Sequence, residues 1–265
     1  MHPHGTGLPD DGIVWAHIKT LAGDPATPYL PSIDHIYRLP ETSLPIPGIP
    51  VHTISSEIAK QLLGVLGGPE VPSRWSGGIG VQYLQGGHWA EGEGIRNLTL
   101  KVTNVLESTV VTNVHATLPA LDETKVIHIG CHWDYWSRIG ADPGTGLAAM
   151  LALSEAWAKT FPGGTHRKTV FSAWDAEEPG IIGSTEFTQL YSTWLESTAM
   201  SYFNLDQALE GSGSLEVVAS PLLREVIRQA ALYVAWPEGD DVNVRDGWLS
   251  TIPQELRTTS TNPNS

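Results

Sequence analysis

Apolar positions change their spacing near the middle of the chain. Between Leu98 and Ala116 they alternate with polar ones and are rich in β-branched residues, which predicts strands over Leu98–Val105 and Thr109–Ala116, joined near Glu107-Ser108. Further on, short apolar runs take turns with segments of three-to-four spacing, so strand and helix are expected in alternation. Val126–Gly130 and Thr169–Trp174 read as short buried strands, and Met150, Leu153, Trp157 and Phe161 put an apolar stripe on a helix over Thr145–Phe161. A helix at about Ser184–Ser197, strands at Ala199–Leu205 and Leu215–Ala219, and a helix opened by Ser220-Pro221 complete the order. Serine before proline suits a helix start: its oxygen caps free N–H groups, and proline loses no bond in the first turn. The alternation favours an α/β fold with a mixed, largely parallel sheet flanked by helices.

The upstream region is different. Eleven of the 19 prolines fall before residue 73, in runs such as Gly23-Asp24-Pro25-Ala26-Thr27-Pro28. Proline fixes φ and removes a donor, so loops, turns and short edge pieces are expected there. One helix stands out, from Ser55 or Ser56 to Leu63, with Ile58, Leu62 and Leu63 on one side and Gly67-Gly68 as a stop. A domain boundary is placed near residue 106, giving a Pro/Gly-rich 1–106 and an α/β 107–265. The last residues, Arg257 to Ser265, are polar and aperiodic and read as frayed.

Charge narrows the partners. Fifteen basic against 29 acidic residues give −14, which repels nucleic acid and anionic membranes and suits a cationic partner such as a divalent metal. The single cysteine, Cys131, excludes an internal disulfide and a cysteine-based zinc knuckle. A hydrophobic content of 41% is enough for a sizeable core. No apolar run reaches the roughly 18 residues that span a bilayer, and MHPHGTG lacks the basic start of a secretion signal. Any export signal or anchor is expected to lie outside this sequence. The chain has no Gly-x-Ser-x-Gly elbow, Walker loop or His-Glu-x-x-His helix.

Candidate chemistry collects where the strands end. His132 follows the Val126–Gly130 strand, Glu177 and Glu178 follow Thr169–Trp174, and Asp206 follows Ala199–Leu205. Open α/β sheets bind ligands at the carboxyl ends of their strands. Asp142 precedes Pro143-Gly144-Thr145-Gly146, where small residues would let the backbone approach an ion closely, and it is placed to bridge two metals. Taken singly, His132 reads as a packed histidine, Glu177–Glu178 as a solvated pair and Asp206 as a turn cap. Taken together, imidazole and carboxylates are zinc ligands, and one uncoordinated carboxylate could move a proton. Glu177 and Glu178 suit a division between base and ligand, and Asp134 could orient the imidazole from behind. His128 is expected to be buried in its strand and Cys131 to act as a small hydrophobe.

These residues resemble a known family. Phe171 through Glu186, with its Asp175-Ala176-Glu177-Glu178 core, Gly130 through Asp134, Asp142-Pro143 and Asn204-Leu205-Asp206 are similar to the glutamate carboxypeptidase II group of co-catalytic zinc exopeptidases. Gly23 through Pro28, Ile49 through His52 and Arg74 through Gly77 resemble that group's protease-associated apical domain, so residues 1–106 are expected to be part of it. The resemblance implies two zinc ions: His132 and Asp206 on one, Glu178 on the other, Asp142 bridging and Glu177 as general base. The activity implied is carboxypeptidase-type exopeptidase action on a peptide, acidic peptides included, by a zinc-bridged hydroxide. The family's second zinc takes a further histidine downstream, whereas all ten histidines here lie at or before His166. The chain is therefore expected to stop short of that ligand and of the family's dimerisation region, and to be an inactive fragment if nothing replaces them. The family's calcium site near Glu186 would lack its second acid, because Gln189 stands there. A membrane-anchored, extracellular or vacuolar setting is implied, in which the Asn97-Leu98-Thr99 sequon would be glycosylated. The transferrin receptor, which shares the architecture without a working zinc centre, supplies the alternative of a non-catalytic binding protein.

Overall fold

The computed structural model describes residues 9–92, 97–136, 140–209, 215–237 and 239–251. The tail from Arg257 to Ser265, read as frayed, lies outside them. Two compact units are present, Met1–Ala208 and Leu209–Ser265.

In the first unit, residues 9–92 are mostly turns, as their prolines dictate, with helix α1 over Ser56–Gly64. Its start is set by Ser55, whose side chain accepts the N–H of Ile58 at 3.3 Å. This segment is pinned by Glu186, whose two carboxylate oxygens accept the N–H groups of Asp24 at 2.7 Å and Ser32 at 2.6 Å.

Then follow strand β1 (Val114–Leu118), β2 (Ala120–His132), helix α2 (Ala141–Thr160), β3 (Thr165–Trp174), helices α3 (Ile182–Leu190) and α4 (Ser192–Thr198), and β4 (Ala199–Asn204). The sheet order is β1-β3-β2-β4, with β2 parallel to both β3 and β4 and β1 antiparallel to β3. The expected α/β fold with a largely parallel sheet is present. Register pairs His132 with Trp174 and Gly130 with Asn204, so the three parallel strands end side by side and their loops leave from one edge.

Alternation along the strands gives the sheet two different faces. Ile129, Cys131 and Phe171 point to α2, where Met150 completes a buried cluster bordered by Leu153 and Trp157. Met150 is 4% exposed, and burying such a side chain contributes about 1.5–3 kcal/mol. Phe161, expected in the same stripe, is 42% exposed, although its ring still meets Trp157 at 5.8 Å. It sits just past the helix end, where the 3.6-residue period no longer aims it at the sheet. The opposite face is aromatic and polar. There His115 meets Ser172 at 2.9 Å, and the rings of Trp174, Phe187 and Tyr191 pack in series, tilted, at 5.1 and 4.8 Å.

Four expected elements differ. Leu98–Val105 is not a strand, and the following one begins at Val114 rather than Thr109. Alternation supplies a face, but a strand also needs a partner for its N–H and C=O groups, and residues 98–105 pair with no strand among the described residues. Leu215–Ala219 fails for the same reason, with Val218 96% exposed. The helix expected over Ser184–Ser197 is two helices, broken at Tyr191, where Phe187 and Trp194 both pack against the tyrosine ring.

In the second unit, Ser220 accepts the N–H of Leu222 and opens a 3-10 turn, Pro221–Leu223, that runs into helix α5 (Arg224–Ala230). Strands β5 (Ala235–Trp236) and β6 (Gly239–Asn243) pair antiparallel, and helix α6 (Val244–Thr251) follows. Gly247 lets the Trp236 indole lie directly on α6.

Candidate metal centre

β2 delivers His132 to the sheet edge, where the ring is 3% exposed. Its Nε2 lies 2.9 Å from Asp142 Oδ1 and 2.9 Å from Asp206 Oδ1. Ligand atoms from these three residues fall within 4.8 Å of one another, the arrangement a single metal ion requires. Nδ1 lies 3.1 Å from the Asp134 carbonyl oxygen. Donating its proton there fixes the tautomer and leaves Nε2 with a lone pair for a metal. In the chain alone, burial works against the imidazolium, but hydrogen bonds to Asp134 and Asp206 outweigh it and hold the pKa at about 11.

Asp142 comes from the entrance of α2, where it and Pro143 depart from helical backbone and their peptide is cis. Its second oxygen accepts from Gln207 Nε2 at 2.7 Å. Asp206 follows β4, and the Leu205 N–H continues the ladder to Gly130 at 2.9 Å, so the sheet sets the height of the carboxylate. Gly146 of α2 lies against the backbone oxygens of Leu205 and Asp206, so that any Cβ would overlap them. Its smallness thus serves packing of the α2 backbone on the Asp206 turn, where the sequence suggested approach to an ion.

Glu177 and Glu178 stand beside this trio and are not part of the three-residue cluster. They occupy the tight turn after β3, where Ala176 has φ 54° and the Glu177 carbonyl accepts the N–H groups of Gly180 and Ile181. Asp134 holds the turn, its two oxygens accepting the N–H groups of Glu177 at 2.9 Å and Glu178 at 3.2 Å. Its carboxylate thus holds the glutamate turn and also lies 3.5 Å from His132 Nδ1, behind the closer main-chain oxygen. The Glu177 carboxyl is raised above its ordinary pKa by burial first and by Asp206, Asp134 and Asp142, against the pull of His132. Glu178 is raised by burial, then by Asp142 and Glu177.

Cys131 is fully buried in the core, and burial pushes its thiol up to about 12, helped by Asp206 and Asp142. His128 is buried as expected. Asn97 is exposed. Near Glu186, whose two oxygens accept N–H groups, Gln189 Oε1 is buried without a partner among the described residues. Gln207 and Gly146 carry no metal-ligand signature. Adjacency to Asp206, and a glycine in the first turns of a helix packed on a sheet, are the only hints to them in the sequence.

Residues 113–243 match the model of peptidase family M28. The chain is 31% identical to aminopeptidase NAALADL1 of Rattus norvegicus over 93% of its own length and 34% of that protein. It is 30% identical to a glutamate carboxypeptidase 2 homolog of Caenorhabditis briggsae over 96% of the chain and 35% of the relative. Transferrin receptor protein 2 of Mus musculus is 32% identical over 89% of the chain and 29% of the receptor. The chain thus spans about a third of the length of these curated relatives. No helix among the described residues is long and apolar enough to cross a membrane. Residues 113–243 thus carry a match to peptidase family M28 and a metallopeptidase-type scaffold, in a chain similar over most of its length to glutamate carboxypeptidase and transferrin receptor proteins.

Proposed function

We propose that this protein is a zinc-dependent exopeptidase that hydrolyses a peptide bond near a chain terminus. The observation that carries the reading is the meeting of Asp142 and Asp206 at one imidazole nitrogen of His132, each at 2.9 Å. One imidazole with its other nitrogen tied to a carbonyl, plus two partly exposed carboxylates, is a donor set that fits zinc. His132 and Asp206 would hold one ion, Asp142 would bridge, and Glu178 would serve a second. When bound, zinc supplies polarisation of a carbonyl and a lowered pKa for water.

Glu177 is the group to move the proton. In the chain alone, burial and the neighbouring carboxylates raise its pKa, which favours taking up a proton. It takes a proton from the attacking water as that oxygen bonds to the peptide carbonyl carbon, and delivers the proton to the amine nitrogen as the C–N bond breaks. Asp134 keeps it in reach by gripping its N–H. Residues 1–106 fit as part of a protease-associated domain, and the exposed Asn97 as a glycosylation site.

Metal content per chain after purification in zinc buffer, measured beside hydrolysis of a dipeptide series by wild type and Glu177→Gln, tests the reading. Bound zinc with turnover lowered about 10²–10⁴-fold in Glu177→Gln supports it. Bound zinc without turnover in either protein favours a receptor-type role, for which the transferrin receptor relative is the ground.

A further inference from the structure

A cavity of about 740 Å³ lies between the aromatic face of the sheet and helices α3 and α4, and His132, Glu177 and Asp206 are among the residues that line it. Phe187, Leu195 and Tyr202 line it as well. Its size is that of a small-molecule site. We propose that this cavity receives a large uncharged side chain, aromatic or aliphatic, of the peptide whose scissile bond lies at the metal centre. The inference rests on the peptidase reading for its ligand class and deepens it by naming the preferred side chain.

Continuity comes first. A peptide carbonyl placed beside His132 and Glu177 has the cavity as the space adjoining it. Charge comes second. No lysine or arginine lines the cavity among the described residues, while Glu177 and Asp206 are acidic. His128, the second imidazole in the wall, is 4% exposed with Nε2 unpartnered, and burial disfavours its protonation. A carboxylate entering here would lose its water and gain no cationic partner, so an acidic side chain is rejected. An aromatic ring would exchange water for the rings of Phe187 and Tyr202, contacts such rings favour.

The test is calorimetry on the chelator-treated chain with N-acetyl-tyrosinamide and N-acetyl-glutamate as probes, which needs neither metal nor turnover. The tyrosine probe is expected to bind at least tenfold more tightly. Leu195→Trp, which fills the cavity, should abolish that binding. Thr188→Arg, a milder change at an exposed position of α3 that also lines the cavity, should narrow the preference or reverse it. Equal or tighter binding of the acidic probe, no saturable binding of the tyrosine probe, or indifference to both variants overturns the inference. Zinc uptake measured separately on the same samples reports on the peptidase reading, so the two can fail independently.

Discussion

The indole N–H of Trp174 donates to the phenolic oxygen of Tyr202 at 2.9 Å, reaching from β3 to β4 across the intervening β2. The tyrosine hydroxyl then donates to Asn204 at 3.0 Å, so one chain of hydrogen bonds ties the carboxyl ends of the outer parallel strands together. Gly130 of β2 lies directly beneath, and a Cβ there would overlap both polar atoms.

Gly130→Ala is therefore expected to push the two rings apart and destabilise the protein by about 1–3 kcal/mol, as overpacking does. Denaturant unfolding measures it. A midpoint equal to wild type would show that the bridge adapts at no cost.

The same bridge predicts an alkaline response. Burial above all pushes the Tyr202 hydroxyl up to about 12, against about 10 in an unfolded chain. In that window the unfolded chain gives up this proton first, so stability falls as pH rises from about 10 to about 12. Melting temperatures recorded across it should decline less steeply for Tyr202→Phe than for wild type. Parallel curves would assign the decline to other groups.

Gly146→Ala tests how Asp206 is placed. The added methyl meets the Leu205 and Asp206 backbone oxygens, which are rigid neighbours, so the Asp206 turn must move. Zinc affinity by calorimetry is expected to fall at least tenfold, although Gly146 offers no ligand atom. Unchanged affinity would show that Asp206 is dispensable to the ion.

Asp134→Ala removes the acceptor of two N–H groups in the glutamate turn. Leaving them unmatched costs about 1–3 kcal/mol. A 10–100-fold loss of zinc affinity should accompany it, as expected for a residue that supports ligands from behind. Asp134→Asn, which keeps one acceptor oxygen, should fall between. A stability loss with full zinc affinity would confine Asp134 to holding the turn.

Local pattern by itself determined much of this protein. The apolar runs that end at Gly130, Trp174 and Leu205 are short enough to be strands; β2 and β3 cover the first two, and β4 ends one residue short of the third. Met150, Leu153 and Trp157 repeat at helical spacing, and α2 turns them onto the sheet. His132, Glu177 and Asp206 could be placed at strand ends because each follows such a run within about three residues. The helix start at Ser55 was equally local, since a cap is a bond between residues three apart.

Tertiary structure decided the rest, because contacts between distant residues depend on register and packing that no short window contains. His132 and Asp206, 74 positions apart, meet only because Gly130 pairs with Asn204 and not with a neighbour. A shift of one residue would turn the chain's side chains to the other face. Leu98–Val105 and Leu215–Ala219 have the alternation of strands and are not strands, because pairing is a property of two segments and not of one. Gly130 and Gly146 look like ordinary glycines in sequence. Only the approach of Tyr202, Trp174 and the Asp206 turn makes their missing side chains necessary.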